Sequence, residues 1–102
     1  MNPGQIALSD DQLAIVRSIA GRLLAGFDVY VFGSRVAGRS GRYSDLDLAV
    51  RGPSALSLAR RAEVQEAFDE SDLPFRVDIV DWTLSSTAFR GIIERTGTRL
   101  DA

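Results

Sequence analysis

Val29-Tyr30-Val31-Phe32-Gly33-Ser34, ten further residues, and then Asp45-Leu46-Asp47-Leu48-Ala49-Val50 form the stretch on which the reading of this chain turns. The first run is β-branched and aromatic and ends at Gly33-Ser34, the composition of a short strand entering a turn. The second alternates strictly. As a strand it sets Asp45 and Asp47 on one face and Leu46, Leu48 and Val50 on the other, a half-buried strand with a carboxylate edge. The Gly-rich, polar segment between them opens with a short helical turn from Arg35 to Gly38.

Working outward, Ser9-Asp10-Asp11-Gln12 has capping-box spacing, and Leu13, Val16, Ala20, Leu23 and Leu24 follow at helical period. A first helix is therefore predicted from Asp10 to Ala25, with Gly26 as its stop. After the turn at Gly52-Pro53-Ser54, propensity more than period predicts a helix from Ala55 to Glu70, with Leu58, Ala59, Ala62, Val64 and Phe68 as its apolar stripe. Leu73-Pro74 breaks it, and Arg76 to Trp82 reads as a third strand. Phe89, Ile92 and Ile93 mark a last helix closed by Gly97. The order α-β-(turn)-β-α-β-α, without repeats or linkers, predicts a single domain over 1–102 of the α+β (α/β) class. A small mixed β-sheet would have helices on one face and the carboxylates on the open one.

Composition narrows the chemistry. Of 102 residues, 12 are Lys or Arg, all of them Arg, against 14 Asp or Glu, and there is no His or Cys. That removes Ser-His and Cys-His nucleophiles, Schiff-base lysines, the P-loop lysine and His/Cys zinc sites. Carboxylates, Arg, hydroxyls, backbone amides and borrowed metal ions remain. A net charge of −2 argues against a broad nucleic-acid footprint. The absence of an apolar run of membrane-spanning length and of disulfide-forming residues gives a cytoplasmic expectation.

Gly33-Ser34 at a strand end can bring backbone amides and a hydroxyl close to a phosphate, although a bare Gly-Ser pair is more often an ordinary turn. An isolated Asp-x-Asp is likewise more often a solvated strand edge. Asp78 shifts the balance, because it lies among Val77, Ile79 and Val80, where a carboxylate needs a partner. If the third strand neighbours the second, three carboxylates converge, and each pair at about 4 Å costs on the order of 4 kcal/mol at an effective dielectric of 20. Mg²⁺ would offset this, since it favours a few carboxylates together with substrate phosphate oxygens. Beside a phosphate-binding turn, such a trio suits a two-metal displacement at phosphorus.

Gly33-Ser34-x10-Asp45-Leu46-Asp47 resembles the signature of the DNA polymerase β-like nucleotidyltransferase superfamily, and Val77-Asp78-Ile79-Val80 is similar to its third-carboxylate strand. Over nearly the whole chain, including the closing Phe89-Arg90-Gly91-Ile92-Ile93 helix, the resemblance is nearest to the minimal nucleotidyltransferases (MNT) encoded beside HEPN-domain partners. It implies a nucleotidyltransferase (polymerase β palm-like) fold and transfer of NMP, chiefly AMP, from an NTP to an acceptor hydroxyl. It further implies that Asp45, Asp47 and Asp78 are catalytic and bind two Mg²⁺, and that Gly33, Ser34 and Arg35 bind the nucleotide. The implied partner is a HEPN toxin whose tyrosine receives AMP from ATP, which makes the chain an antitoxin acting by AMPylation. Ala37 stands where many members have a second Arg, and Arg39 and Arg42 are the candidates to replace it.

Asp81 falls on the strand face opposite Asp78 and reads as a capping or surface residue. Trp82 reads as core or interface, Phe89, Ile92 and Ile93 as core, and Arg60, Arg61, Arg90 and Arg95 as solvated helix faces. The rival function is a non-catalytic antitoxin that neutralises its partner by covering it. Direct nucleic-acid binding is disfavoured by charge, and homo-oligomerisation is left open.

Overall fold

Helix α1 spans Asp10–Leu23 in the computed structural model, which describes residues 6–100, so the domain read as 1–102 extends past them at both ends. Its start is the expected capping box. Ser9 Oγ accepts from the Gln12 N–H at 3.1 Å and Gln12 Oε1 accepts from the Ser9 N–H at 3.0 Å. The helix stops short of Ala25, and Gly26 takes the left-handed turn at φ +87° that leads into the sheet.

The elements that follow are β1 (Asp28–Phe32), α2 (Ser34–Ala37), β2 (Leu46–Arg51), α3 (Leu58–Asp69), β3 (Val77–Asp81), a 3-10 turn (Trp82–Leu84), α4 (Thr87–Thr96) and β4 (Thr98–Arg99). The sheet order is β3-β2-β1-β4. β1 is antiparallel to β2 and β4, whereas β2 and β3 run parallel, with α3 supplying the long crossover that parallel strands require.

Strand alternation sorts the side chains into two cores. Val29 and Val31, Leu46, Leu48 and Val50, and Val77 and Ile79 pack on one face against Val16 and Ile19 of α1, Leu24 just after it, and Val64 and Phe68 of α3. On the other face Phe32, Ala49, Trp82 and Ile93 form a smaller cluster flanked by Tyr30, Val80 and Phe89. The carboxylate face is therefore not wholly open as expected. α4 and Trp82 cover its apolar part, with Phe89 edge-on to Phe32 at 5.6 Å.

Several local expectations shift for identifiable reasons. α3 begins at Leu58 and not Ala55, because Ser57 caps the Arg60 N–H and the buried Leu56 gives its N–H to Asp81. Leu58 is then 86% exposed, and the helix buries Val64 and Phe68 without it. Ile92 is likewise exposed, since residues 92 and 93 lie about 100° apart around a helix and only Ile93 can face the sheet. Arg61 donates to the Ile79 carbonyl and Arg90 to the Trp82 and Thr83 carbonyls, so neither is merely solvated. β4 was not anticipated, as two residues are too few to show a period.

Among the described residues no helix is long and apolar enough to cross a membrane. Leu48, fully buried at the centre of the larger core, is expected to cost about 3 kcal/mol when replaced in Leu48→Ala, read as a lower urea midpoint with unchanged slope.

Candidate active site

β2 and β3 are parallel neighbours in the register Leu46↔Val77 and Asp47↔Asp78, so two carboxylates stand directly across from one another at the strands' N-terminal ends. Asp45 immediately precedes β2, and the Leu46 N–H donates to the Arg76 carbonyl at 2.8 Å, which ties the entry of β2 to that of β3. On β1, Phe32 pairs with Asp47 and is followed at once by Gly33. The structure thus brings Gly33, Asp45, Asp47 and Asp78 to one end of the partly covered face.

Gly33 is needed for two reasons. Its φ of +80° lies where L-residues are strained, and a Cβ built on it would run into Asp47 Oδ2. The backbone entering α2 therefore lies directly against a candidate metal-binding carboxylate.

The Asp47 carboxyl is pushed above the usual Asp range, first by burial, then by the charge of Asp78, then by that of Asp45. An acid whose pKa is higher in the folded than in the unfolded chain favours the folded state while protonated. That contribution is lost as pH rises through the carboxylate range, so ionised Asp47 lowers stability near neutral pH. Asp78 is partly offset by Arg76, whose Nη2 is 2.9 Å from Asp78 Oδ1. The Arg76 pKa is raised, first by this hydrogen bond and then by the charges of Asp78 and Asp45. Sequence reading missed Arg76, although its place two residues before Asp78 on a strand already set both on one face.

Among the described residues no three acidic side chains are drawn together into a ready-made cation cage. The donor set nevertheless suits a hard divalent ion. It offers carboxylate oxygens only, two of them on facing residues, and their mutual repulsion is felt at Asp47.

Arg35 is placed differently from what the resemblance implies. It is 4% exposed, and its guanidinium donates to the carbonyls of Ala7 at 2.6 Å, Ser44 at 2.8 Å and Arg42 at 3.2 Å, while stacking 3.9 Å over the Phe75 ring. Asp81 is buried, not a surface residue, and its capping role is real. Oδ2 accepts from the Leu56 N–H at 2.7 Å and Oδ1 from the Thr83 N–H at 2.9 Å. Trp82 is buried in the smaller core, with Arg51 4.6 Å over its ring.

Known proteins share the sequence and the fold that carry these residues. Residues 13–101 match the nucleotidyltransferase domain family, and the chain belongs to it. A probable protein adenylyltransferase, MntA, from Haemophilus influenzae is 45% identical over 91 residues, which are 89% of this chain and 80% of that protein. A chain in a crystal structure of a toxin–antitoxin with AMP-PNP is 27% identical at a TM-score of 0.74, over 86% of this chain and 71% of that one. Another, from a structure of tri-AMPylated Shewanella oneidensis HEPN toxin in complex with MNT antitoxin, is 26% identical at a TM-score of 0.66, over 86% and 67%. These similarities bear out the small mixed sheet with helices and the resemblance to the minimal nucleotidyltransferases.

Asp47→Asn removes both the desolvated charge and its repulsion. After allowance for solvent screening, the metal-free protein is expected to gain about 0.5 kcal/mol, or ~2–4 °C in Tm. Added Mg²⁺ should raise the Tm of the unsubstituted chain and leave that of Asp47→Asn unchanged.

Proposed function

We propose that this chain transfers AMP from ATP to a hydroxyl of a HEPN-domain partner and so acts as that partner's antitoxin. The observation that carries the proposal is the in-register Asp47–Asp78 pair beside Gly33, on a chain 45% identical to a probable protein adenylyltransferase. The relatives solved with AMP-PNP and with an AMPylated HEPN toxin support the nucleotide and the acceptor class. A cytoplasmic setting belongs to the same proposal.

In this account Asp45, Asp47 and Asp78 would hold two Mg²⁺, which would add positive charge at the triphosphate when bound. Gly33 and Ser34 line the phosphates, because at Gly33 the backbone can lie against Asp47 without a Cβ in between. Asp78 faces the acceptor and helps take the proton from its hydroxyl. That oxygen, a partner tyrosine's in this proposal, bonds to the α-phosphorus as the bond to the β-phosphate oxygen breaks and pyrophosphate leaves. The acceptor is presented by the partner's surface, a reading that the relative solved with a tri-AMPylated HEPN toxin supports.

Incubation with the HEPN partner, Mg²⁺ and α-labelled ATP should label the partner. Asp45→Ala combined with Asp47→Ala should reduce the rate by about 10³-fold, equivalent to ~4 kcal/mol of transition-state stabilisation. Undiminished labelling by that variant would refute the assigned site. Full protection of cells by a variant that no longer labels would favour neutralisation by binding alone.

A further inference from the structure

We propose that Arg35 is a positioning residue: its guanidinium fixes the 41–44 loop, and through it Asp45, and does not bind the triphosphate. This rests on the transferase reading above.

Arg35 Nη1 donates to the Ala7 carbonyl, Nε and Nη2 both donate to the Ser44 carbonyl at 3.1 and 2.8 Å, and Nη2 also reaches the carbonyls of Arg42 and Gly41 at 3.2 and 3.5 Å. The Ala7 N–H donates back to the Arg35 carbonyl at 2.8 Å. Three separate segments, around Ala7, residues 41–44 and Phe75, thus meet on one side chain.

The Arg35 side chain is itself buried, its bonds to these carbonyls are partly buried, and its guanidinium also stacks on Phe75, so withdrawing it from all of these partners at once carries a cost. Turning Arg35 outward to a phosphate would undo several such bonds at once. The triphosphate's cationic contacts are left to Arg39 and Arg42, both exposed.

The loop it holds ends at a candidate metal ligand. Ser44, whose carbonyl takes two of the Arg35 bonds, is also closed onto Gly41, with the Gly41 N–H donating to Ser44 Oγ at 2.8 Å and the Ser44 N–H to the Gly41 carbonyl at 3.3 Å. The next residue is Asp45, and the one after is held by Leu46 N–H to the Arg76 carbonyl. The backbone of Asp45 is therefore clamped on both sides, and Arg35 is the N-terminal clamp. Metal ligands need placement within about 0.5 Å, which a free loop does not give.

The test uses the full chain as Arg35→Lys and Arg35→Gln, with Ser44→Ala loosening the same loop while leaving Arg35 intact. ATP affinity is measured in EDTA, Mn²⁺ affinity is measured by electron paramagnetic resonance with AMP-PNP present, and kcat and KM are separated. A positioning role predicts metal-free ATP affinity within about twofold of the unsubstituted chain, Mn²⁺ affinity and kcat each down about tenfold or more, and KM nearly unchanged. Ser44→Ala should show the same pattern more weakly, which keeps the test open if Arg35→Gln does not fold. A tenfold loss of metal-free ATP affinity with Mn²⁺ affinity intact would make Arg35 a phosphate ligand and overturn this proposal alone. An unsubstituted chain that binds no Mn²⁺ with AMP-PNP would overturn the transferase reading, and this proposal with it.

Discussion

Like charges held opposite one another across a parallel strand pair set the terms for this molecule. Neighbouring strands are about 4.8 Å apart, and two unit charges at that distance repel by ~3 kcal/mol at an effective dielectric of 20 before solvent screening is counted. Asp47 and Asp78 are register partners on such a pair of strands, and the charges of Asp78 and Asp45 are both felt at Asp47. Arg76 answers only Asp78 with a direct ion pair, and from an exposed position. The fold tolerates the remainder because the opposite sides of the same strands are anchored in the larger core, where Leu46, Leu48, Val77 and Ile79 are buried. The period of two in a strand delivers both results from one sequence.

The same constraint explains how the two faces are divided. Along β2 the face that holds Asp47 becomes apolar at Ala49, and along β3 the face that holds Asp78 becomes apolar at Val80. Trp82 and Ile93 close over that apolar part, while Asp47 and Asp78 at the carboxylate end stay half-buried. The second small core thus bounds the site on one side. Gly33 bounds it on another, its backbone set against Asp47.

What was legible in the sequence was whatever repeats with a period or marks a terminus. The alternation of 45–50, the capping box at Ser9 and the Gly97 stop all translate into observed structure. Family resemblance supplied the partner and the nucleotide, which no periodicity could supply. What was not legible depends on contacts between distant segments. The burial of Arg35 among Ala7, Ser44 and Phe75 leaves no mark in the residues that flank it. Asp81 reads as a surface or capping residue until it is found buried between Leu56 and Thr83. β4 exists because β1 has a free edge for it, a fact of topology with no local pattern.

The central proposal is that Asp45, Asp47 and Asp78 take up cations and, with them, the triphosphate beside Gly33 and Ser34. It is tested most directly by a crystal structure of this chain grown with AMP-PNP and Mn²⁺ and measured at the manganese edge. The account predicts two anomalous peaks among the three carboxylates, triphosphate density against Gly33 and Ser34, and Arg35 still on the Ser44 carbonyl. No anomalous peak there, with the Arg76–Asp78 pair intact and the nucleotide bound elsewhere, would contradict it.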